Sequence, residues 1–392
     1  MKYSEYKDDM TESKDQNKYR TLMLAFSFSI AFLLHLLLFA TAPMVTDIMK
    51  EMELSYAQFG FIFSVTMITL AVFRLPWGLL ADRIGYLSVF RIAAPLCLVF
   101  AFTRAWASGY ASLLISQFFL GIGLAAVIPV LTLLVKEWAY QKTGFSTGIY
   151  IAGFAAGNAT ALGLTPLLLE SMSWRTVLLC YAIISAIICS LCWLFARSSF
   201  KGSAGFQIKG FSLLLKDRYV WVLLFFLIAT MGSYDSLATW MPKVLEMKQF
   251  NPVLATLLPL GFFLAGPVIG SLSDRFEHKR TLLALLGVGA ASSVVGLNYA
   301  PFPLFLLCLF LSGFTITGVL TITLSIPVEH ERLSPYAGSV VGLISSLSNI
   351  GPLVMPVLFG LLIDVTCTFH ASIFAVAALA GITFILGSRV KS

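Results

Sequence analysis

Five polar side chains that could do chemistry lie inside long apolar stretches of the sequence: Arg74, His35, Asp235, Asn158 and Asn349. A guanidinium presents a rigid fork of N–H donors that matches the oxygens of a carboxylate or similar oxyanion. Histidine exchanges a proton near neutral pH, and a carboxylate shielded from water can do the same. These residue types therefore predict anion binding and proton transfer in apolar surroundings.

Arg74 is the leading candidate because of its depth. It lies two helical turns before the Asp82-Arg83 pair, about 12 Å along a helix. Charged side chains at membrane depth are costly and are treated as functional by default. Two interpretations stay open for Arg74: an anion-binding cation in a translocation path, or a structural cation paired with a carboxylate or with helix-end carbonyls.

His35 and Asp235 are the candidates for proton coupling. His35 either carries the proton or contacts a substrate, or it only hydrogen bonds to a neighbouring helix. Asp235 either carries a proton or lies in water at the outer mouth. Aligning Pro43 with Pro242 places His35 opposite Tyr234, so Tyr234 joins the candidate substrate contacts.

The two asparagines occupy the middle of their apolar segments. Asn158 follows the run G-I-Y-I-A-G-F-A-A-G, whose small residues let helix backbones touch. Asn349 follows several serines of a later segment. Each amide either lines a pore or hydrogen bonds between helices, and both interpretations stay open.

The composition indicates which elements position these side chains. With 58% hydrophobic and 11% charged residues and a mean hydropathy of +0.90, the chain is too apolar for a water-soluble domain. A membrane-spanning helix needs about 20 apolar residues, so we predict an all-α, polytopic membrane protein. The twelve predicted spans are 21–44, 57–80, 89–107, 111–135, 145–169, 176–196, 219–242, 252–272, 281–299, 302–327, 336–362 and 369–387.

The polar segments define the predicted domains. Residues 1–20 form a cytoplasmic tail that we expect to be disordered, 21–196 an N-terminal six-helix bundle, 197–218 a cytoplasmic linker and 219–388 a C-terminal six-helix bundle. Most of the 26 lysines and arginines then lie inside, which orients both termini to the cytoplasm. The cations predicted outside are Lys50, Arg104, Arg175, Lys243 and Lys248.

This topology accounts for the net charge of +7, so no nucleic-acid partner is expected. The six cysteines act as small hydrophobic residues in or beside the spans. We expect no metal and no cofactor.

The two halves share a motif. The sequence G-L-L-A-D-R-I-G, from Gly78 to Gly85, returns as G-S-L-S-D-R, from Gly270 to Arg275. In each copy a glycine precedes an Asp-Arg pair, Asp82-Arg83 or Asp274-Arg275. We expect these glycines to let two helix ends approach closely, and we infer an internal duplication.

Twelve spans in two halves, a basic linker and the G-x-L-x-D-R-x-G turn resemble the major facilitator superfamily. That resemblance implies alternating access around a central site. It also implies that the repeated turns form a cytoplasmic gate, made by Gly78, Asp82, Arg83, Gly270, Asp274 and Arg275. Arg91 and Lys279 are candidate partners of its aspartates.

The F-R-L-P-W-G context of Arg74 and the glycine-rich fifth span resemble nitrate/nitrite porters and cyanate-type permeases. The resemblance implies that Arg74 contacts the anion. Those porters carry a second arginine in the eighth span, where this chain has Gly266. We therefore expect a monoanion with an organic tail packed on Trp77, Phe154 or Phe263.

The predicted function is a secondary active transporter for a small anion, coupled to protons, and not an enzyme. We expect a monomer in a bacterial-type inner membrane. One alternative is a proton-coupled drug or metabolite exporter; Ala156-Gly157-Asn158, where exporters have a Gly-Pro pair, and Gln117, where they often have arginine, count against it. A transport-dead membrane sensor is a remote alternative.

Overall fold

A computed structural model describes residues 2–138, 143–198, 218–275, 279–329 and 343–387. None of these residues lies in a β-strand, which confirms the all-α prediction. The α-helices are α1 (Lys2–Phe39), α2 (Val45–Met52), α3 (Tyr56–Ile84), α4 (Tyr86–Thr103), α5 (Tyr110–Leu124), α6 (Val127–Trp138), α7 (Thr143–Leu169), α8 (Trp174–Phe195), α9 (Arg218–Met247), α10 (Leu257–Arg275), α11 (Lys279–Tyr299), α12 (Phe302–Glu329), α13 (Ile350–Thr366) and α14 (His370–Gly387).

Eleven helical segments of the described chain are long and apolar enough to cross a membrane, and His370–Ile382 is a shorter apolar helix. The first span combines α1 and α2, and the fourth combines α5 and α6. The predicted linker starts where α8 ends, and residues 199–217 of it lie outside the described chain. Helices α1 to α8 form the N-terminal half and α9 to α14 form the C-terminal half.

Three of the described apolar spans are interrupted. In the first, α1 ends at Phe39 and a 3-10 turn over Ala42–Met44 precedes α2. Pro43 in that turn has no backbone N–H to continue the helical ladder. The fourth span breaks after Leu124, and a turn at Ser348 and Asn349 precedes α13. Such breaks free backbone polar groups from the helical ladder, and these groups can bind a side chain or a substrate.

The N-terminal tail differs from the prediction. Helix α1 begins at Lys2, so residues 2–20 are helical instead of disordered. The tail contains no glycine or proline. It also extends a helix that the membrane segment has already nucleated, so each added residue gains a backbone hydrogen bond without a new nucleation cost.

The two halves meet closely at their outer ends. An ideal Cβ placed on Gly60 of α3 would overlap the carbonyl of Pro356 in α13, and one on Gly360 of α13 would overlap that of Tyr56. Near the outer end of α7, an ideal Cβ on Gly163 would lie 3.1 Å from the side chain of Thr256, in the 3-10 turn that precedes α10. No side chain fits at Gly60 or Gly360, so glycine allows these backbones to touch.

The expected close approach at the cytoplasmic Asp-Arg turns stays a prediction, because the cytoplasmic residues 276–278 and 330–342 lie outside the described chain. Among the described residues, the nearest atom to an ideal Cβ on Gly78 is 3.9 Å away, in Pro129 of the same half, and none lies within 4 Å of one on Gly270. The close backbone contacts between the halves that the structure describes lie at the outer face, so the outer face is closed in this conformation.

A cross-half hydrogen-bond pair closes the outer face. The Asp364 carboxylate, at the end of α13, accepts the backbone N–H groups of Tyr56 at 2.9 Å and Ala57 at 2.8 Å. These belong to the first turn of α3, whose N–H groups have no partner within the helix and carry partial positive charge. The Asp364 side chain is exposed, but both of its carboxylate oxygens accept a hydrogen bond. We call this pair of bonds the outer latch.

Further contacts between the halves surround the outer latch. The Trp240 ring of α9 packs on Tyr56 and Phe59, with centroids 5.9 and 5.5 Å apart. Lys243 Nζ donates to Thr46 Oγ1 at 2.7 Å. Pro242 does not end its helix as predicted, because α9 continues to Met247.

Candidate functional site

One hydrogen bond joins the halves in the apolar interior. Asn158 of α7 is fully buried, and its Nδ2 donates to the Tyr234 hydroxyl of α9 at 3.0 Å. Its Oδ1 has no hydrogen-bond partner. Leaving such a group unpaired costs about 1–3 kcal/mol, so this acceptor is available to a donor that enters the site. Of the two interpretations of Asn158, bonding between helices is confirmed, and pore lining stays a prediction.

His35 lies against the same helix. Its ring stacks on Phe154, with centroids 4.7 Å apart and planes at 23°, and Phe39 packs at its edge. The Nδ1 atom of His35 is buried without a partner. Phe154 lies one turn before Asn158, so the stack continues into the amide.

Tyr234 completes this group by packing on Phe262, 5.1 Å away between centroids. The aromatic–amide cluster comprises His35, Phe154, Asn158, Tyr234 and Phe262. It draws residues from four helices of both halves.

Glycines of α7 fix the geometry of this cluster. An ideal Cβ on Gly153 would overlap the Phe28 carbonyl, and one on Gly157 would overlap the Phe32 carbonyl. The backbones of α1 and α7 therefore touch, as the small-residue pattern predicts. This contact brings His35 onto Phe154.

Arg74 lies apart from the cluster. Its side chain is half-buried on α3, and its Nε is buried without a hydrogen-bond partner. Within the described part of the chain, no carboxylate lies within 4.0 Å of its guanidinium, since the ion pairs there are Arg175–Glu51 and Lys243–Glu246. The interpretation of Arg74 as a cation paired with a resident acid has no support among these residues.

Distances along the helices give the depth of Arg74 relative to the aromatic–amide cluster. Arg74 lies about 15 Å into α3 from its cytoplasmic end at Ile84, and Tyr234 lies about 24 Å into α9 from Arg218. Arg74 is therefore on the cytoplasmic side of the aromatic–amide cluster. The predicted substrate contacts do not form one contact set in this conformation.

Asn349 uses its amide locally. Its Nδ2 donates to the carbonyls of Ser345 at 3.1 Å and Ser346 at 2.9 Å. These belong to the helical turn that ends just before α13, so the side chain satisfies carbonyls freed by the break. Its amide makes no bond to another helix among the described residues, and pore lining and substrate contact stay predictions.

The carboxylate of Asp235 makes no hydrogen bond or ion pair with another described residue. Its side chain is half-buried on α9, next to Tyr234. Both interpretations, a proton carrier or an acid at the outer mouth, therefore stay open.

The predicted cytoplasmic gate makes no ion pair among the described residues. Asp82 is half-buried, Arg83 and Arg275 are exposed, and no described ion pair includes any of them. The side chains of Asp274 and Lys279 lie outside the described ones. The gating role of this motif therefore stays a prediction.

The three side chains that we predicted to contact an organic tail of the substrate lie in different surroundings. Phe154 is covered by His35, and Trp77 donates its indole N–H to the Ile122 carbonyl at 2.8 Å. Phe263 is 48% exposed. Of the three, Phe263 is the most accessible.

Sequence reasoning misplaced Arg104. We predicted it in an outer loop, but its side chain is 0% exposed. Its Nη1 donates to the Leu37 carbonyl at 2.8 Å, whereas Nε and Nη2 have no partner. Leu37 lies in the last turn of α1, so Arg104 caps a carbonyl that the break in the first span has freed. The aromatic and small residues on both sides of Arg104 were a signal for its burial.

Two six-helix halves that meet at the outer face define a polytopic transporter of the alternating-access type. The chain belongs to the Major Facilitator Superfamily, whose family model matches residues 27–259 and 251–391. Membership confirms the predicted family. It also confirms that the protein is a multi-pass membrane transporter and not an enzyme.

Several curated relatives are similar over most of their length. The Nitrite extrusion protein of Bacillus subtilis (strain 168) is 25% identical over 361 residues, covering 88% of each chain. The Gentisate transporter of Corynebacterium glutamicum is 26% identical, covering 80% of this chain and 74% of its own. The Probable sulfoacetate transporter of Cupriavidus necator is 24% identical, covering 92% and 90%.

Solved structures share the fold. A bacterial homolog of the human lysosomal transporter Spinster, in an inward-facing and unoccupied conformation, aligns with a TM-score of 0.75 at 15% identity, covering 95% of this chain and 97% of its own. The nucleoside transporter NupG aligns with a TM-score of 0.78 at 12% identity, covering 94% and 99%. At these identities the likeness concerns the fold alone.

Proposed function

We propose that the protein transports a small monovalent anion across the membrane by alternating access, coupled to protons. The observation that carries this proposal is Arg74, a membrane-embedded guanidinium without a described counter-charge. An unpaired charge in such surroundings is costly. A bound oxyanion would offset that cost, because its oxygens match the donor fork of arginine.

The relatives support the class of cargo. Nitrite, gentisate and sulfoacetate, which their names specify, differ in size but all carry negative charge. One arginine suits a monoanion better than a dianion. The aromatic–amide cluster further out offers apolar surface and the free Asn158 acceptor, which suits a cargo with an organic tail and a donor group.

The order of these features suggests a path. An anion entering from the cytoplasm meets Arg74 first and the aromatic–amide cluster second. His35, whose Nδ1 has no partner, and Asp235 are the groups that we propose for the coupling proton. We also propose cytoplasmic termini, an inner-membrane location and a monomer; the distribution of lysines and arginines supports the orientation.

Purified protein in proteoliposomes provides the test. Uptake of nitrate, nitrite, formate, lactate and small aromatic acids is measured with and without a pH gradient. Arg74→Gln should lower kcat/KM for the transported anion about thirtyfold or more, because loss of one partner of a buried charge pair costs about 2–5 kcal/mol. Arg74→Lys keeps the charge but not the fork, so an intermediate loss is expected.

Arg280→Gln is the matched control, because Arg280 is an exposed arginine at the cytoplasmic start of α11. It should transport like the unchanged protein. Saturable uptake of every transported anion by a folded Arg74→Gln variant, at the original kcat/KM, would show that Arg74 is structural. An uptake rate independent of the pH gradient would refute the proton coupling alone.

A further inference from the structure

A cleft at the cytoplasmic face of the N-terminal half is independent of the transport site. It has a volume of about 400 Å³ and lies between the start of α4 and the end of α8. Its lining is Ile84, Gly85, Leu87, Ser88, Arg91, Ala196, Arg197 and Ser198. We call it the arginine cleft.

The charges on its walls are positive. Arg91 and Arg197 are both exposed, and neither forms a salt bridge within the described residues. Arg197 is held in place by the Tyr19 ring, 4.5 Å below its guanidinium carbon. None of the described residues that line the cleft is acidic. Glu137 is close by, but its carboxylate already accepts bonds from Tyr86 and Ser198.

Backbone N–H groups add to the positive electrostatic potential in the arginine cleft. Gly85 precedes α4 and provides no side-chain cap, and the first N–H bonded within the helix is that of Val89. The N–H groups of residues 86–88 thus remain at the positive end of an 18-residue helix. The two guanidiniums and these N–H groups converge on one cleft.

The side chains around the arginine cleft indicate which kind of anion would bind there. Apolar side chains next to the cleft face outward: Ile84 is 43%, Ile92 52% and Phe195 52% exposed. On a membrane protein such side chains face acyl chains. The cleft therefore lies where the hydrocarbon region ends and lipid headgroups begin. Basic pockets between helices on the cytoplasmic side bind phosphate-bearing headgroups.

We propose that the arginine cleft binds the headgroup of an anionic phospholipid of the cytoplasmic leaflet. Arg91 and Arg197 contact the phosphate oxygens, and the acyl chains lie along the exposed apolar faces of α4 and α8. The proposal does not depend on the transported substrate.

Native mass spectrometry of the full-length protein in detergent tests this proposal, with phosphatidylglycerol, phosphatidylcholine and inorganic phosphate as probes. Phosphatidylglycerol should bind more tightly than phosphatidylcholine. Arg91→Gln and Arg197→Gln should each weaken its binding about fivefold, and the double variant about 25-fold, since a basic residue near a membrane surface contributes about 1 kcal/mol.

The double variant Arg218→Gln, Arg280→Gln removes two exposed cytoplasmic arginines from the other half and should bind phosphatidylglycerol as the unchanged protein does. An equal loss in this control would attribute binding to general surface charge and overturn the proposal. Equal affinity for both lipids would overturn it as well, and so would inorganic phosphate that binds as tightly as phosphatidylglycerol. Should the double variant not fold, the Arg91→Gln variant decides, because it changes one exposed side chain.

Discussion

Two arginines at membrane depth show how differently one residue type can be accommodated. Arg104 is wholly enclosed and donates to the Leu37 carbonyl, so it belongs to the structure of the N-terminal half. Arg74 is half-buried and has no bond to a described residue. The distinction supports a structural role for Arg104 and a cargo-binding role for Arg74.

The role of Arg104 leads to a prediction about stability. Arg104→Gln keeps a donor for the Leu37 carbonyl, whereas Arg104→Met leaves that carbonyl unpaired. The Met variant should be less stable than the Gln variant by about 1–3 kcal/mol, the cost of an unsatisfied buried acceptor. Denaturant unfolding of the purified variants measures this difference. Equal stability would mean that the capping bond contributes nothing.

At the scale of elements, glycines determine where helices touch. Gly60 and Gly360 allow α3 and α13 to meet at the outer face, whereas Gly266 of α10 has open space around it. Glycine is therefore required for close helix packing in α3 and α13, whereas in α10 the position of Gly266 has room for a side chain.

Gly60→Ala tests the outer contact. Its new Cβ would overlap the Pro356 carbonyl, so closure of the outer face would cost about 1–3 kcal/mol. The inward-facing population should fall fivefold or more relative to the outward-facing one. Distances between spin labels on the outer ends of α3 and α13 report this shift. Gly266→Ala is the control and should leave the distribution unchanged; an unaltered distribution for Gly60→Ala would contradict the prediction.

Much of the element pattern could be predicted from the sequence, because apolar runs of sufficient length have few alternatives to membrane helices. The contact of α7 with α1 followed from its glycines. The first span was predicted to end near Pro43, but the helix α2 that follows was not predicted. The break near Asn349 was not predicted either, since apolar composition continues across it. Arg104 was misplaced and the bonds of Asp364 were not predicted, because the partners of both side chains are backbone groups, which have no sequence signature.

At the scale of the whole molecule, one sequence must encode two conformations. The G-x-L-x-D-R-x-G turn predicts cytoplasmic contacts that no described ion pair provides, whereas the outer latch is formed. A sequence motif whose contacts form in one conformation can therefore be present in a structure of the other conformation without making those contacts. Asp364 and Asp82 stabilise opposite states under this interpretation.

This opposition predicts compensation between two substitutions. Asp364→Asn weakens the bonds to Tyr56 and Ala57 and should shift the protein toward the outward-facing state by about 1–2 kcal/mol. Asp82→Asn should shift it the other way, and the double variant should lie between the two. Spin-label distances at both faces measure these shifts.

Glu170→Gln is the control for these variants, since Glu170 is an exposed acid that follows the outer end of α7. It should leave the distribution of states unchanged. Shifts in the same direction for Asp82→Asn and Asp364→Asn would contradict the assignment of opposing roles.

Helix α3 receives the Asp364 carboxylate at its first residues and carries Asp82 near its last turn. The number of residues in α3 therefore sets the angle, about the helix axis, between its outer contact with Asp364 and the direction of Asp82 near its cytoplasmic end. Because each added residue turns a helix by about 100°, a single insertion in α3 would rotate one aspartate contact out of line with the other. The span is thus a spacer of fixed length, and lineages that alter its side chains freely should still conserve the number of its residues.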